Sequence, residues 1–189
     1  KILNSIPKIM THFLNQELSV YEFRRYMVDL LVDVSGAKYV YMSNTIEKNG
    51  KIIGQNMAML SSSVDRDATI KFKEQFKYDE EWIEEYIFED MNRIFSIPYH
   101  TKKPYYTNDL KNDYQARIPC PFQPDNKQLH NFMVYPLIYG DQILGMFGLA
   151  NRDDGFSNGL IKNLKPFIDT CASIEYMHLV NKKLEQQNN

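Results

Sequence analysis

Between positions 19 and 36 the apolar residues Phe23, Met27, Leu30, Leu31 and Val34 recur at three- and four-residue steps, the spacing of one buried helical face. Ser19 and Glu22 bracket the start as a capping box, and Ser35-Gly36 supplies a glycine stop. Ahead of it, Ile2, Ile6, Ile9, Met10, Phe13 and Leu14 predict a shorter amphipathic helix that accommodates Pro7. From 39 to 46 the pattern turns β-like, Glu47-Lys48-Asn49-Gly50 makes a turn, and 52–60 runs back. Asn-Gly between two such runs is a strong hairpin signal, because both turn residues must accept positive φ.

Asp79, Glu80 and Glu81 then place acid where a helix dipole favours it, and Trp82, Ile83, Tyr86, Ile87, Met91, Ile94 and Phe95 follow at helical spacing. This predicts a helix whose carboxylates Glu84, Glu85 and Glu89 form a solvated face rather than a catalytic pair. From 96 to 130, prolines at 98, 104, 119, 121 and 124 predict a long ordered loop with one short strand at 104–107. A second hairpin follows, 131–139 and 142–151 around Gly140-Asp141, a Gly-first pair suited to a type II′ turn. Its strands are almost unbroken in apolar residues, which predicts burial on both faces. Gly145 and Gly148 leave room for a close approach, by a packed helix or by a ligand. Last, Ser157 caps a long helix with Phe156 and Ile161 as a hydrophobic staple, and Leu160, Leu164, Phe167, Ile168, Cys171, Ile174, Met177 and Leu184 carry an apolar stripe toward the chain end, across Pro166.

Helix, hairpin, helix, loop, hairpin, helix is the order of an α+β domain with one antiparallel sheet covered by helices. The 189 residues suffice for one domain with a real core, and no internal repeat is visible. Twenty-two Lys and Arg against 24 Asp and Glu, with no basic block, argue against nucleic acid as a partner. No apolar run reaches the ~20 residues of a membrane span, and the first ten residues lack a signal-peptide pattern. Two cysteines, Cys120 and Cys171, make no disulfide framework, so a reducing, cytoplasmic setting is expected. His12, His100, His130 and His178 show no metal spacing with them, and no cofactor is expected. The start at Lys1 is expected for a piece of a larger protein.

The run Asn131-Phe132-Met133-Val134-Tyr135-Pro136-Leu137-Ile138-Tyr139-Gly140-Asp141-Gln142-Ile143-Leu144-Gly145-Met146-Phe147-Gly148-Leu149-Ala150-Asn151-Arg152 resembles the signature of GAF domains, as found in sensor histidine kinases and related signalling proteins. Asp153-Asp154-Gly155-Phe156-Ser157 is similar to the turn that follows in those sensors, with Asp in place of its Pro and first Gly, and Lys103-Pro104-Tyr105-Tyr106-Thr107-Asn108-Asp109 looks like their third strand and its turn. The chain departs from them at 117–124, where Pro119-Cys120-Pro121-Phe122 stands in place of a Gly-His-Pro-Pro-like stretch.

The resemblance implies a central antiparallel sheet of five to six strands, with the N- and C-terminal helices on one face and a pocket under loops and helices on the other. It divides the chain into a linker helix at 1–17, the domain at 18–184 and a polar tail at 185–189 that leads toward a downstream linker. Tyr105, Tyr106, Asn108, Asp109, Arg117, Cys120, Phe122 and Phe132 are the implied ligand-binding residues. The implied role is that of a non-catalytic sensor that binds an unidentified small molecule, pairs with a second copy through its terminal helices and biases an output domain of the parent protein, without membrane contact of its own. A ligand-free dimerising spacer and a GAF-fold enzyme such as a free methionine sulfoxide reductase are the alternatives. A bilin photoreceptor would need a His beside its attachment Cys, whereas Pro121 follows Cys120, and the Asn-Lys-x-x-Phe-x-x-x-Asp-Glu motif of cyclic-nucleotide binders does not occur.

Overall fold

The second hairpin closes on a two-residue turn, as its Gly-first chemistry requires. In the computed structural model, which describes residues 2–14, 20–48, 51–56, 61–62, 87–88, 94–113 and 129–188, strand β1 (Ala37–Lys48) pairs antiparallel with β2 (Lys51–Asn56), and Lys48 faces Lys51. Of the expected turn at 47–50, Glu47 and Lys48 belong to β1, and 49–50 lie outside the described residues. Strands β3 (Ser61–Ser62) and β4 (Ile87–Phe88) pair with β1 and β2, and β5 (Tyr105–Thr107) pairs with β6 (Phe132–Tyr139). Strand β7 (Gln142–Arg152) lies between β1 and β6, with Tyr139 facing Gln142 across Gly140-Asp141. Gly140 has φ +58° and Asp141 has no positive φ, as a II′ turn requires. The sheet order is β4-β2-β1-β7-β6-β5, all antiparallel.

Two expectations are corrected. Four long strands, β2-β1-β7-β6, carry the sheet in place of the expected five to six, and among the described residues the other three are two- or three-residue pieces on its flanks. For β5 the reason is local: Pro104 precedes it and the Asn108-Asp109 turn ends it. The helix expected over 79–95 is contradicted at Ile87–Phe88, which form a strand paired with Gln55 and Gly54. Backbone pairing at a sheet edge outweighs a helical spacing that β-branched and aromatic residues fit only weakly. At 94–96 the chain forms a 3-10 turn, and the rest of that stretch lies outside the described residues.

Helix α1 (Ile2–Leu14) and α2 (Val20–Ser35) begin the chain, α3 (Ile97–Thr101) precedes β5, and α4 (Asn158–Gln187) ends it. Helix α3 corrects the expected irregular loop. Pro98 sits in its first turn, where a missing N–H costs nothing. Gly36 closes α2 at φ +70°, its N–H donating to the Val32 carbonyl at 3.1 Å. The predicted cap of α4 is present, with Ser157 Oγ accepting from the Leu160 amide at 3.2 Å and Phe156 buried beneath it. The capping Ser19 of α2 lies outside the described residues.

Burial on both faces of the second hairpin follows the prediction and builds two cores. Against the helices lie Val40, Met42, Met133, Leu137, Phe147 and Leu149, with Phe23, Met27 and Leu31 of α2 and Leu164, Phe167, Ile168 and Ile174 of α4. On the opposite face lie Tyr41, Phe132, Val134, Met146 and Ala150. A bulge at Leu144, skipped between the pairs Leu137–Gly145 and Ile138–Ile143, lets that residue join the helix-side core. The stripe of α4 is buried only as far as Glu175, and Leu184 is 52% exposed, since this end of the helix runs past the sheet.

Within the helix layer, Arg24 of α2 donates from Nε and Nη2 to the two carboxylate oxygens of Glu175 at 2.9 and 2.8 Å, and Glu175 is only 3% exposed. One turn on, the His178 ring meets Phe13 of α1 edge-on at 5.1 Å and Phe23 of α2 at 6.0 Å, and its buried Nε2 has no hydrogen-bond partner among the described residues. Burial holds the His178 pKa below its usual 6.5, with Glu175 opposing that shift and Arg24 adding to it. A base whose folded pKa is depressed contributes stability that is fully present above the unfolded pKa and is lost as pH falls below about 6.5, because the unfolded chain binds the proton first. Urea midpoints measured at pH 7.5 and 5.5 are therefore expected to fall further in the wild type than in His178→Gln. Equal falls would show that this imidazole does not titrate in the packed layer.

Candidate functional site

The face of the sheet turned away from the long terminal helices is aromatic at its centre and is covered in part by the short helix α3. Two-residue periodicity along β1 turns Tyr39 and Tyr41 to this face while Val40 and Met42 meet the helices. Tyr41 lies opposite Gly148, and its ring occupies the place a side chain would take there: a Cβ on Gly148 would stand 1.8 Å from Tyr41 Cε1. Neither a helix nor a ligand fills that space, as had been expected of it. The same ring stacks on Phe132 at a centroid distance of 6.4 Å. At Gly145, too, the close neighbour is β1, since a Cβ would stand 2.1 Å from the Ser43 carbonyl oxygen.

Over this floor come Ile94, Ile97, Tyr99, Tyr105, Leu110 and Leu129. The Tyr99 hydroxyl donates to Thr45 Oγ1 on β1, and the Tyr105 hydroxyl donates to Asp113 Oδ2 at 2.7 Å. Burial pushes both phenols up to about 12, and the Asp113 carboxylate adds to that at Tyr105, so both stay protonated donors at neutral pH. This second core thus combines buried aromatic rings with two fixed hydroxyls and one carboxylate at its edge. That donor set suits the orientation of a small organic molecule by stacking and hydrogen bonding.

Of the residues expected at a site, Tyr105 and Phe132 are brought together here, opposite Val134 and Thr107 respectively. Tyr106 points the other way and packs on the helix-side core, because neighbours in a strand face opposite sides. Asn108 spends both ends of its amide on one residue: Oδ1 accepts from the Phe156 N–H at 2.7 Å, and Nδ2 donates to the Phe156 carbonyl at 3.0 Å. Asp109 opens the turn at 109–113, its carboxylate accepting from the Asn112 side chain at 2.7 Å and its backbone carbonyl from the Asp113 N–H at 3.0 Å. Arg117, Cys120 and Phe122 lie outside the described residues. Tyr41, Tyr99, Met146 and Asp113 belong to the face without having been singled out from the sequence. For Tyr41 and Met146, strict alternation along β1 and β7 was the available signal.

Among the described residues no cluster of His, Cys, Asp and Glu could hold a metal ion, and no helix is long and apolar enough to cross a membrane. Cys171 is fully buried in α4, and burial, with the nearby Glu175 adding to it, pushes its thiol well above the ordinary range. A thiol in that state is neither accessible nor ionised enough to attack. Iodoacetamide is expected to leave Cys171 unmodified in the native protein while labelling it fully in urea, as read by peptide mass spectrometry. Native labelling at the unfolded rate would contradict its burial.

The profile of the GAF domain family matches residues 18–174. The fold is similar to the GAF domain of a Coxiella burnetii phosphoenolpyruvate-protein phosphotransferase (11% identity, TM-score 0.70, covering 97% of this chain and 96% of that one) and to residues 122 to 287 of a methyl-accepting chemotaxis protein (14%, 0.62, 92% and 94%). It is similar also to a type II free methionine-R-sulfoxide reductase from Thermoplasma acidophilum (12%, 0.56, 84% and 96%). No curated protein matches. With its sheet, its flanking helices and the profile match over most of its length, the chain belongs to the GAF domain family.

Proposed function

We propose that this domain is the regulatory sensor of a larger signalling protein and binds a small organic molecule against the sheet face that carries Tyr41, Phe132 and Tyr105. The observation behind this reading is the unlike construction of the two faces. The long helices α2 and α4 and an extended apolar core close one, while the other is covered by short pieces of chain and pairs stacked aromatic rings with the Tyr99 and Tyr105 hydroxyls. Asp109, Arg117, Cys120 and Phe122 are offered as further contacts from the neighbouring segments, on the strength of the family resemblance. In this reading the domain spans 18–184, works in the cytoplasm and has no catalytic activity of its own. The helical end beyond the sheet, with Leu184 exposed, pairs with a second copy and leads to an output domain such as a histidine kinase.

A thermal-shift screen against amino acids, small carboxylates and cyclic nucleotides tests the ligand, since one that binds only the folded state at 100 times its Kd stabilises by about 2.7 kcal/mol. A saturable shift, weakened by Tyr105→Phe and kept by Lys162→Ala on the exposed side of α4, supports the sensor. No shift together with a stable dimer in sedimentation would favour the ligand-free spacer. Turnover of free methionine sulfoxide in a thiol-coupled assay would overturn the non-catalytic reading.

A further inference from the structure

We infer that Asn108 is a positioning residue that couples the Tyr105 face of the sheet to the first turn of α4. Phe156, to which its amide is bound in both directions, immediately precedes the Ser157 cap, so Asn108 holds the backbone from which α4 departs. Gly155 makes this approach possible. It has φ +68°, and a Cβ there would stand 2.8 Å from Asn108 Oδ1. On the other side of the same turn, Arg152 Nη1 donates to the Gly155 carbonyl at 2.6 Å while its Nε donates to the Ser35 carbonyl at the end of α2. Asn131, before β6, holds the start of the same turn, its amide donating to the Arg152 carbonyl and accepting from the Arg152 N–H, and Asn108 is the link from the Tyr105 strand to its end at Phe156.

The path toward the proposed ligand face is short and continuous. Tyr105 donates to Asp113, the Asp113 N–H donates to the Asp109 carbonyl, and Asp109 follows Asn108 directly. A molecule that displaced or tightened the Tyr105–Asp113 bond would shift the turn at 109–113, and the Asn108 amide would carry that shift to Phe156 and the α4 cap. The inference rests on the sensor reading for which face is the input, but its test uses no ligand. A failed screen and a failed coupling are thus separate results.

Amide hydrogen exchange is measured at Phe156 and Leu160, normalised to Leu149 in the sheet as the reporter of global opening. Tyr105→Phe, which deletes the hydroxyl, is expected to speed both amides about threefold or more, the size of effect that contacting groups in one network show. In an Asn108→Ala background the two amides exchange faster from the outset, and Tyr105→Phe adds nothing. Asn108→Asp keeps the acceptor for Phe156 N–H and loses the donor to its carbonyl, so the factor falls without vanishing; this variant carries the test if Asn108→Ala does not fold. A purely structural Asn108 would leave the Tyr105→Phe factor the same in every background. That result, or no effect of Tyr105→Phe in the wild type, overturns the inference.

Discussion

Replacing Arg24 with Leu is expected to destabilise the domain by about 3–5 kcal/mol, because it leaves the Glu175 carboxylate buried without its partner. The pair is bidentate, with side chains 19% and 5% exposed, so solvent can do little to compensate. The ion pair as a whole is worth far less than either half's removal suggests, since desolvating both charges offsets most of their attraction. Arg24→Leu with Glu175→Leu is accordingly expected to recover most of the loss. Urea unfolding of the two single variants and the double variant at pH 7.5 gives the comparison. A single-variant loss below about 1 kcal/mol, the range of an exposed pair, would mean that the pair is solvated in solution.

Gly148→Ala is expected to cost about 3 kcal/mol, at the upper end of what overpacking a filled core produces. The added methyl would overlap the Tyr41 ring, which is itself held by its stack on Phe132 and by burial to 5% exposure. If that overlap is the cause, Tyr41→Ala introduced into Gly148→Ala should cost much less than it does in the wild type, because each change removes the other's clash or cavity. Simple additivity of the two in thermal unfolding would place the strain elsewhere.

Much of the fold is legible in the sequence because it is specified locally. The cap at Ser157, the stop at Gly36 and the Gly140-Asp141 turn each act within a few residues, and each stands where the pattern puts it. What was not legible depends on partners far along the chain. Ile87 reads as part of a helix face, yet it and Phe88 pair with a strand more than 30 positions earlier. Arg24 and Glu175, 151 positions apart, each look like ordinary surface charges until α2 and α4 come together.

Which expected residues share the candidate face was legible only in part, for a similar reason. Tyr105 and Tyr106 look alike in a segment read mostly as loop, and only its pairing with β6 sends them to opposite faces. Asn108 has the chemistry of a ligand contact, but both ends of its amide are committed to a backbone 48 positions away. The glycines at 145 and 148 signalled a close approach, while the identity of the visitor, β1 and its Tyr41, depended on the β1–β7 register.

The most direct test of the sensor account is amide and methyl NMR of the labelled domain titrated with a library of aromatic and carboxylate fragments. The account predicts saturable shifts that cluster on Tyr41, Phe132, Val134, Met146 and Tyr105, with the helix-side core residues Leu149 and Ile168 unmoved. Shifts confined to the helix face, or no saturable shift from any fragment, would contradict it.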